Sequence, residues 1–155
     1  MNNSKRYFSS VKDMSLNLLA EGKTIRIKAH GYSMYPAIKP GSLILIEPLR
    51  LKGKPLPGEI VALKRKNGMV VHRVVKTVFK NNTTFYITRG DSNANTDAPM
   101  TIGKIAGRVV KSEPTGENPE PADIRINTNP HHILNRLRVI YIFIVKKIQA
   151  WRMTK

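Results

Sequence analysis

A lone serine stands between Tyr32 and Met34 in "HGYSMYPAIKPG", after a glycine and just before Pro36. A hydroxyl held at such a place can act as a nucleophile if a base takes its proton and an acid orients the base. Taken alone, the same serine equally suits an ordinary turn. Of the four histidines, His131 and His132 lie far towards the C-terminus and His30 is only three residues before Ser33. That leaves His72, in "MVVHRVV", as the base by elimination. Its neighbours at period two, Val70 and Val74, are apolar, so a core or strand-edge histidine is the competing reading. Four acids fall in the central part of the chain, Glu47, Glu59, Asp91 and Asp97. None occurs between Glu59 and Asp91, where Lys64, Arg65, Lys66, Arg73, Lys76, Lys80 and Arg89 crowd together. An acid beside His72 must therefore come from another strand or loop. "RGDSNANTD" offers two aspartates six residues apart, although an Asp/Asn-rich loop also caps its own backbone.

These residues need elements to hold them, and the chain is long enough to supply one domain. It has 155 residues, 41% hydrophobic, and carries a net charge of +17. The charge implies attraction to polyanions, either nucleic acid or an anionic lipid surface. Without cysteine, thiol catalysis, disulfides and cysteine-based metal sites are excluded. The N-terminal segment has no long apolar core, so neither a signal peptide nor a membrane span is expected there.

"SSVKDMSLNLLAEG" reads as a short amphipathic helix, capped at Ser10, with Val11, Met14 and Leu18 on one face and Gly22 closing it. Beyond Gly22 the pattern is mostly β. "KTIRIKAH" alternates Ile25, Ile27 and Ala29 with basic residues, the pattern of a strand with one buried face, and the chain is expected to turn at Gly31 to present Ser33. "SLILIEP" is a second strand. "GEIVALKRKNGMVVHRVVKTVF" gives two more, joined at Asn67-Gly68. "NN" at Asn81-Asn82 turns into "TFYITR", and "TIGKIAGRVV" supplies a further strand or pair. Short strands at this spacing point to a small barrel or two packed sheets.

From residue 113 the character changes. Residues 113–130 carry four prolines and four acids and read as an extended linker. Residues 131–155 contain no acid, and Ile133, Leu137, Ile140, Tyr141, Ile144, Ile148 and Trp151 fall at helical spacing. The uninterrupted apolar run "VIYIFIV" is seven residues, too short against the roughly 20 that a span needs. A basic helix with a tryptophan and six Lys/Arg side chains instead suits an anionic membrane interface, with packing onto the β domain as the alternative. The expected division is a helix over 1–22, a β domain over 23–112, the linker over 113–130 and the C-terminal helix over 131–155.

"GYSMYPAIKPGSLILIEP", "PGEIVALK", "VVHRVV" and "TRGDSNANTDAP", in that order, resemble the signal peptidase family. The histidine box is similar to the serine–histidine branch of the endoplasmic reticulum, archaea and some Gram-positive bacteria, where the bacterial branch has a lysine. The resemblance covers roughly residues 25 to 110. It implies a mainly β, barrel-like core of the signal-peptidase/LexA kind. It also implies an endopeptidase with Ser33 as nucleophile, His72 as general base, Asp97 as orienting acid and Asp91 as a supporting aspartate near the site. No metal or cofactor is called for. The implied substrates are exported or precursor peptides with small residues before the cut, and the implied location is membrane-associated, peripheral or anchored, with the side left open.

The chain departs from the family pattern in three places. Gly41-Ser42 and Gly58-Glu59 stand where a glycine-aspartate is usual, so a structural carboxylate is missing or replaced. Gly31 stands where many members have a serine that donates to the oxyanion. The N-terminal span that normally anchors the family is not expected here. The nearest rival is a LexA-type self-cleaving regulator, which has a lysine in place of His72 and a DNA-binding domain ahead of the core. About two dozen residues before the first strand are too few for a helix-turn-helix. A non-catalytic basic module is the other alternative, but the strands lack the regular aromatic positions of single-strand binders, so nucleic acid is not the expected partner.

Overall fold

The computed structural model describes residues 13–49, 53–66 and 68–114. Ser10, Val11, Asn67, all but the first two residues of the expected linker, and the expected C-terminal helix lie outside the described residues. Residues 13–20 form a helix, α1. It ends where Gly22 takes φ 87°, and two crossed bonds satisfy its last carbonyls: Gly22 N–H to Leu19 O at 3.1 Å and Lys23 N–H to Leu18 O at 2.8 Å. That is the glycine-closed helix end expected from "AEG".

Among the described residues seven strands follow: β1 (Ile25–Lys28), β2 (Leu43–Glu47), β3 (Ile60–Arg65), β4 (Gly68–Lys80), β5 (Thr83–Arg89), β6 (Met100–Thr101) and β7 (Ile105–Glu113), with a 3-10 turn over Ile102–Lys104. They form one antiparallel sheet in the order β1-β2-β7-β3-β4-β5-β6. The mainly β fold with a short helix is thus as expected. Of the expected barrel or two packed sheets, neither closure nor a second sheet is seen among the described residues, and the strands lie in one continuous sheet whose order ends at β1 and β6.

A single sheet can still hold two cores when both its faces are covered, and β3 shows how. Ile60 and Ala62 pack in one cluster with Leu19, Met34, Ile38, Ile44, Ile46 and Val109. Val61 and Leu63 pack in the other with Val74, Tyr86 and Ile105. Consecutive side chains point to opposite faces, so "IVAL" is apolar without alternation because both faces of this strand are buried. At the flanks the alternation returns, as in the buried Ile44 and Ile46 of β2.

Two local devices fix the register. Asn81 and Asn82 have φ 48° and 56°, the left-handed pair that a two-residue hairpin turn requires, and Lys80 pairs with Thr83 across it. At Gly107 an added Cβ would sit 2.5 Å from Glu47 O and 2.8 Å from Ile46 Cγ2, so only glycine lets β7 approach β2 this closely.

The replaced carboxylate has a definite place. Glu59, on the residue after Gly58, is 8% exposed and accepts from Arg108 Nε at 2.9 Å and from the Leu56 N–H at 2.9 Å. Arg108, 3% exposed, also reaches the carbonyls of Gly53 and Lys54. Removing one member of such a pair strands the other charge in the interior. We predict that Glu59→Ala lowers unfolding stability by roughly 3–5 kcal/mol, read from the denaturant midpoint, while Arg26→Ala, which breaks the exposed Arg26–Glu113 pair, leaves the midpoint nearly unchanged.

Candidate active site

His72 is carried by β4, opposite Val61 of β3, and is 6% exposed. Its Nδ1 lies 2.6 Å from Asp97 Oδ2. Next to an ionised carboxylate the ring nitrogen is the donor, which leaves Nε2 as the acceptor. The same Oδ2 accepts from Thr88 Oγ1 at 2.5 Å, and Arg65 Nη2 donates to Oδ1 at 2.9 Å. The backbone closes the arrangement, with Asp97 N–H donating to Thr88 O at 2.7 Å. Burial pushes the Asp97 carboxyl up. The hydrogen bonds from Thr88 and His72, with the charges of His72 and Arg65, outweigh it and hold the group below its ordinary value.

Asp91 lies elsewhere. It takes a two-pronged ion pair from Arg73, Nε to Oδ1 at 2.8 Å and Nη2 to Oδ2 at 2.6 Å, while Arg73 Nη1 donates to Gly58 O at 2.7 Å. Its carboxylate is therefore occupied by a side chain from β4 and not by the backbone of its own loop.

Ser33 sits in the loop between β1 and β2. The loop is pinned at its base by Ala29 N–H to Ser42 O at 2.8 Å and Gly41 N–H to Ala29 O at 2.6 Å. It is anchored in the core by Met34 and Ile38, 3% and 2% exposed. Residues 33–37 form the turn, which includes a cis peptide between Tyr35 and Pro36. The turn's hydrogen bonds run from Tyr35 N–H to Tyr32 O at 3.0 Å and from Ile38 N–H to Met34 O at 2.8 Å, so the turn expected at Gly31 lies just after it. Ser33 lines a cavity of about 290 Å³ with Ile27, Ala29, Ile44, Met69 and Val71.

The loop after β5 ties the serine to the His72 region. Ser92 N–H donates to Ser33 O at 2.9 Å and Ser92 Oγ to Tyr32 O at 2.7 Å. Gly90 makes the approach possible, since a Cβ there would lie 2.7 Å from Ser33 O. Gly90 follows Arg89, the cross-strand partner of Arg73, which is next to His72. The structure thus joins His72 to Asp97 directly, brings the Ser33 backbone onto the Gly90–Ser92 segment, and places Asp91 on Arg73. Among the described residues Ser33 Oγ makes no hydrogen bond to the imidazole, a bond often loose before substrate binds.

Sequence reasoning missed Arg65, Thr88 and Arg73. Arg73 carried a signal, since it adjoins His72 and must face the opposite side of the strand. Thr88 reads only as a strand former, and Arg65 as one of a run of solvated cations. Among the described residues there is no group of His, Cys, Asp and Glu side chains that could hold a metal ion, and no helix is long and apolar enough to cross a membrane.

Comparison with known proteins bears on the same region. No curated protein matches the chain. The family model described as Peptidase S24-like matches residues 2–110, a stretch that takes in Ser33, His72, Asp91 and Asp97 and well over half of the chain. The match is to the broad peptidase family and does not single out the signal-peptidase branch. On that match, the chain belongs to the Peptidase S24-like family.

Proposed function

We propose that this protein is a serine endopeptidase of signal-peptidase type that cuts exported or precursor peptides after small residues. The observation that carries the proposal is the His72 Nδ1–Asp97 Oδ2 bond of 2.6 Å, shared with Thr88 and Arg65. An acceptor on Nδ1 fixes the tautomer whose Nε2 can take the Ser33 proton and later give it to the leaving amine. In this reading Ser33 Oγ attacks the peptide carbonyl, and its own N–H, which has no partner among the described hydrogen bonds, faces the developing oxyanion. Asp91 and Arg73 support the site by holding the loop between them. The apolar cavity beside Ser33 receives a small side chain of the substrate. An anionic membrane surface, reached through the segment 131–155, remains part of this proposal, as does the division of the chain at residue 113.

The family match favours one second reading, a LexA-type self-cleaving regulator. Incubating the purified chain alone separates the two. Self-cleavage at a rate independent of protein concentration supports the rival, and an intact chain that cuts added precursors supports the peptidase.

Three outcomes are expected. Ser33→Ala and His72→Ala each lower cleavage of precursors with small residues at the cut by roughly 10⁴-fold or more, and the double variant is no slower than either single one. Mass spectrometry of the products reads this, and a Ser33→Ala protein that still cuts would overturn the assignment.

Asp97→Asn lowers both turnover and stability. Because the folded-state value of the carboxyl is depressed, its contribution is full above the unfolded value of about 3.9 and is lost as pH falls through the folded value. The gap in Tm between wild type and Asp97→Asn should therefore be widest at neutral pH and narrow below about pH 4. A gap that widens on acidification contradicts this.

A Cβ at Gly31 would meet nothing within 4 Å, so a serine fits there. With the added donor aimed at the oxyanion, Gly31→Ser should raise kcat by roughly tenfold or more with little change in KM. An unchanged kcat would place the second donor elsewhere.

A further inference from the structure

At the end of β4 remote from His72, the sheet narrows to β4 and β5 with the short β6 beside them. β4 pairs with β3 only as far as Arg73, whereas its pairing with β5 runs on to Lys80. The β4–β5 ribbon ends in the left-handed Asn81-Asn82 turn. Just before it Phe79 is 70% exposed. Phe79 and the half-exposed Ile102 line one open cavity of about 240 Å³ together with Lys54, Thr83 and Thr84, and Leu56, two residues from Lys54, is also exposed. Of the six large apolar side chains exposed among the described residues, Phe79 and Ile102 thus lie at this end, with a third, Leu56, two residues from the cavity-lining Lys54.

The charges around them are of one sign. Lys54, Lys76, Lys80 and Lys104 are exposed, and none takes part in an ion pair among the described residues. The segments that carry them, 53–57, 76–84 and 100–104, contain no acid. Three apolar side chains are too few for a protein partner, which needs about 800 Å² on each side. They are enough for an interfacial contact, where a few apolar groups enter the headgroup boundary and each lysine adds attraction to anionic lipid.

We infer that this end of the domain is a docking surface for an anionic phospholipid bilayer, with Phe79 and Ile102 entering the interface and Lys54, Lys80 and Lys104 on the phosphates. His72 then stands about 25 Å along β4 from the contact. The inference does not rest on the peptidase reading, and it concerns a different surface from the segment 131–155.

Phe79→Trp in a Trp151→Phe background of the full chain places one indole at the tip. With vesicles of phosphatidylcholine and phosphatidylglycerol its emission should shift to the blue and be quenched by brominated acyl chains. Raising the salt should reverse both. Pure phosphatidylcholine should give neither. Lys54→Gln, Lys80→Gln and Lys104→Gln together should weaken vesicle binding at the tip by roughly a hundredfold. The inference is overturned if the indole stays in water while the protein binds vesicles through another segment, or if neutral vesicles act equally. It is also overturned if the emission is already blue without lipid, meaning that the chain itself or a second copy covers the tip. A response to soluble polyglutamate and not to vesicles would make the partner an acidic protein, and would equally overturn it.

Discussion

The carboxylate of Asp97 gathers three donors from three strands: His72 on β4, Thr88 on β5 and Arg65 at the end of β3. An ionised carboxylate only accepts, and has room for about four such bonds. It can therefore serve as the common terminus of the buried His72 and Thr88, which would otherwise lack a partner in the interior, while Arg65 reaches it from the exposed side. The knot also ties down the sheet. Thr88 stands opposite Val74, two residues beyond His72, so both side chains point to the face where Asp97 lies. A slip of one residue between β4 and β5 would turn Thr88 to the other face and break the set. Fold register and site geometry are one constraint here.

A second knot lies on the other face and depends on the first through a single peptide bond. Arg73 follows His72, so alternation along the strand sends it to the opposite side of the sheet. There it faces Arg89 across the ladder, a like-charge pair that is unfavourable by itself. Asp91 offsets it with two hydrogen bonds to Arg73, and a third from the same guanidinium to Gly58 O secures the segment before β3. The loop after β5 is consequently fastened near its start by Asp91 on one face and at its end by Asp97 on the other. Between these points it has little freedom, and this is the stretch whose Ser92 holds the carbonyls of Tyr32 and Ser33.

Much of this was legible in the sequence, for reasons that differ by element. The strands were read from alternation and from turn residues, and Asn81-Asn82 and Gly22 adopt the conformations their types favour. The continuous run Ile60–Leu63 shows why the sheet count was not legible. A strand buried on both faces looks the same in one doubly covered sheet as in the middle of a barrel. Ser33, His72 and the aspartates stand out as candidates because four short boxes keep their order. Their partners do not, because a hydrogen bond between Thr88 and Asp97 or between Arg65 and Asp97 leaves no local pattern. Glu59 illustrates the middle case: its unusual position after Gly58 was visible, but its pairing with Arg108, 49 residues on, was not.

The presence of this network bears on the proposal that His72 is the base. An imidazole is planar, has two distinct nitrogens and works only in the right tautomer, so it needs an acceptor on Nδ1. A lysine amine has neither requirement. An ionised carboxylate 2.6 Å away would moreover hold an amine in its protonated form and remove its basicity. A lysine at position 72 would therefore be harmed by the Asp97 arrangement that suits a histidine. Thr88 and Arg65 make the conflict sharper, since both favour the ionised form of Asp97. Histidine at 72 and the threefold-bonded acid at 97 thus form one device, and neither is intelligible as a substitution made alone in a lysine-based site.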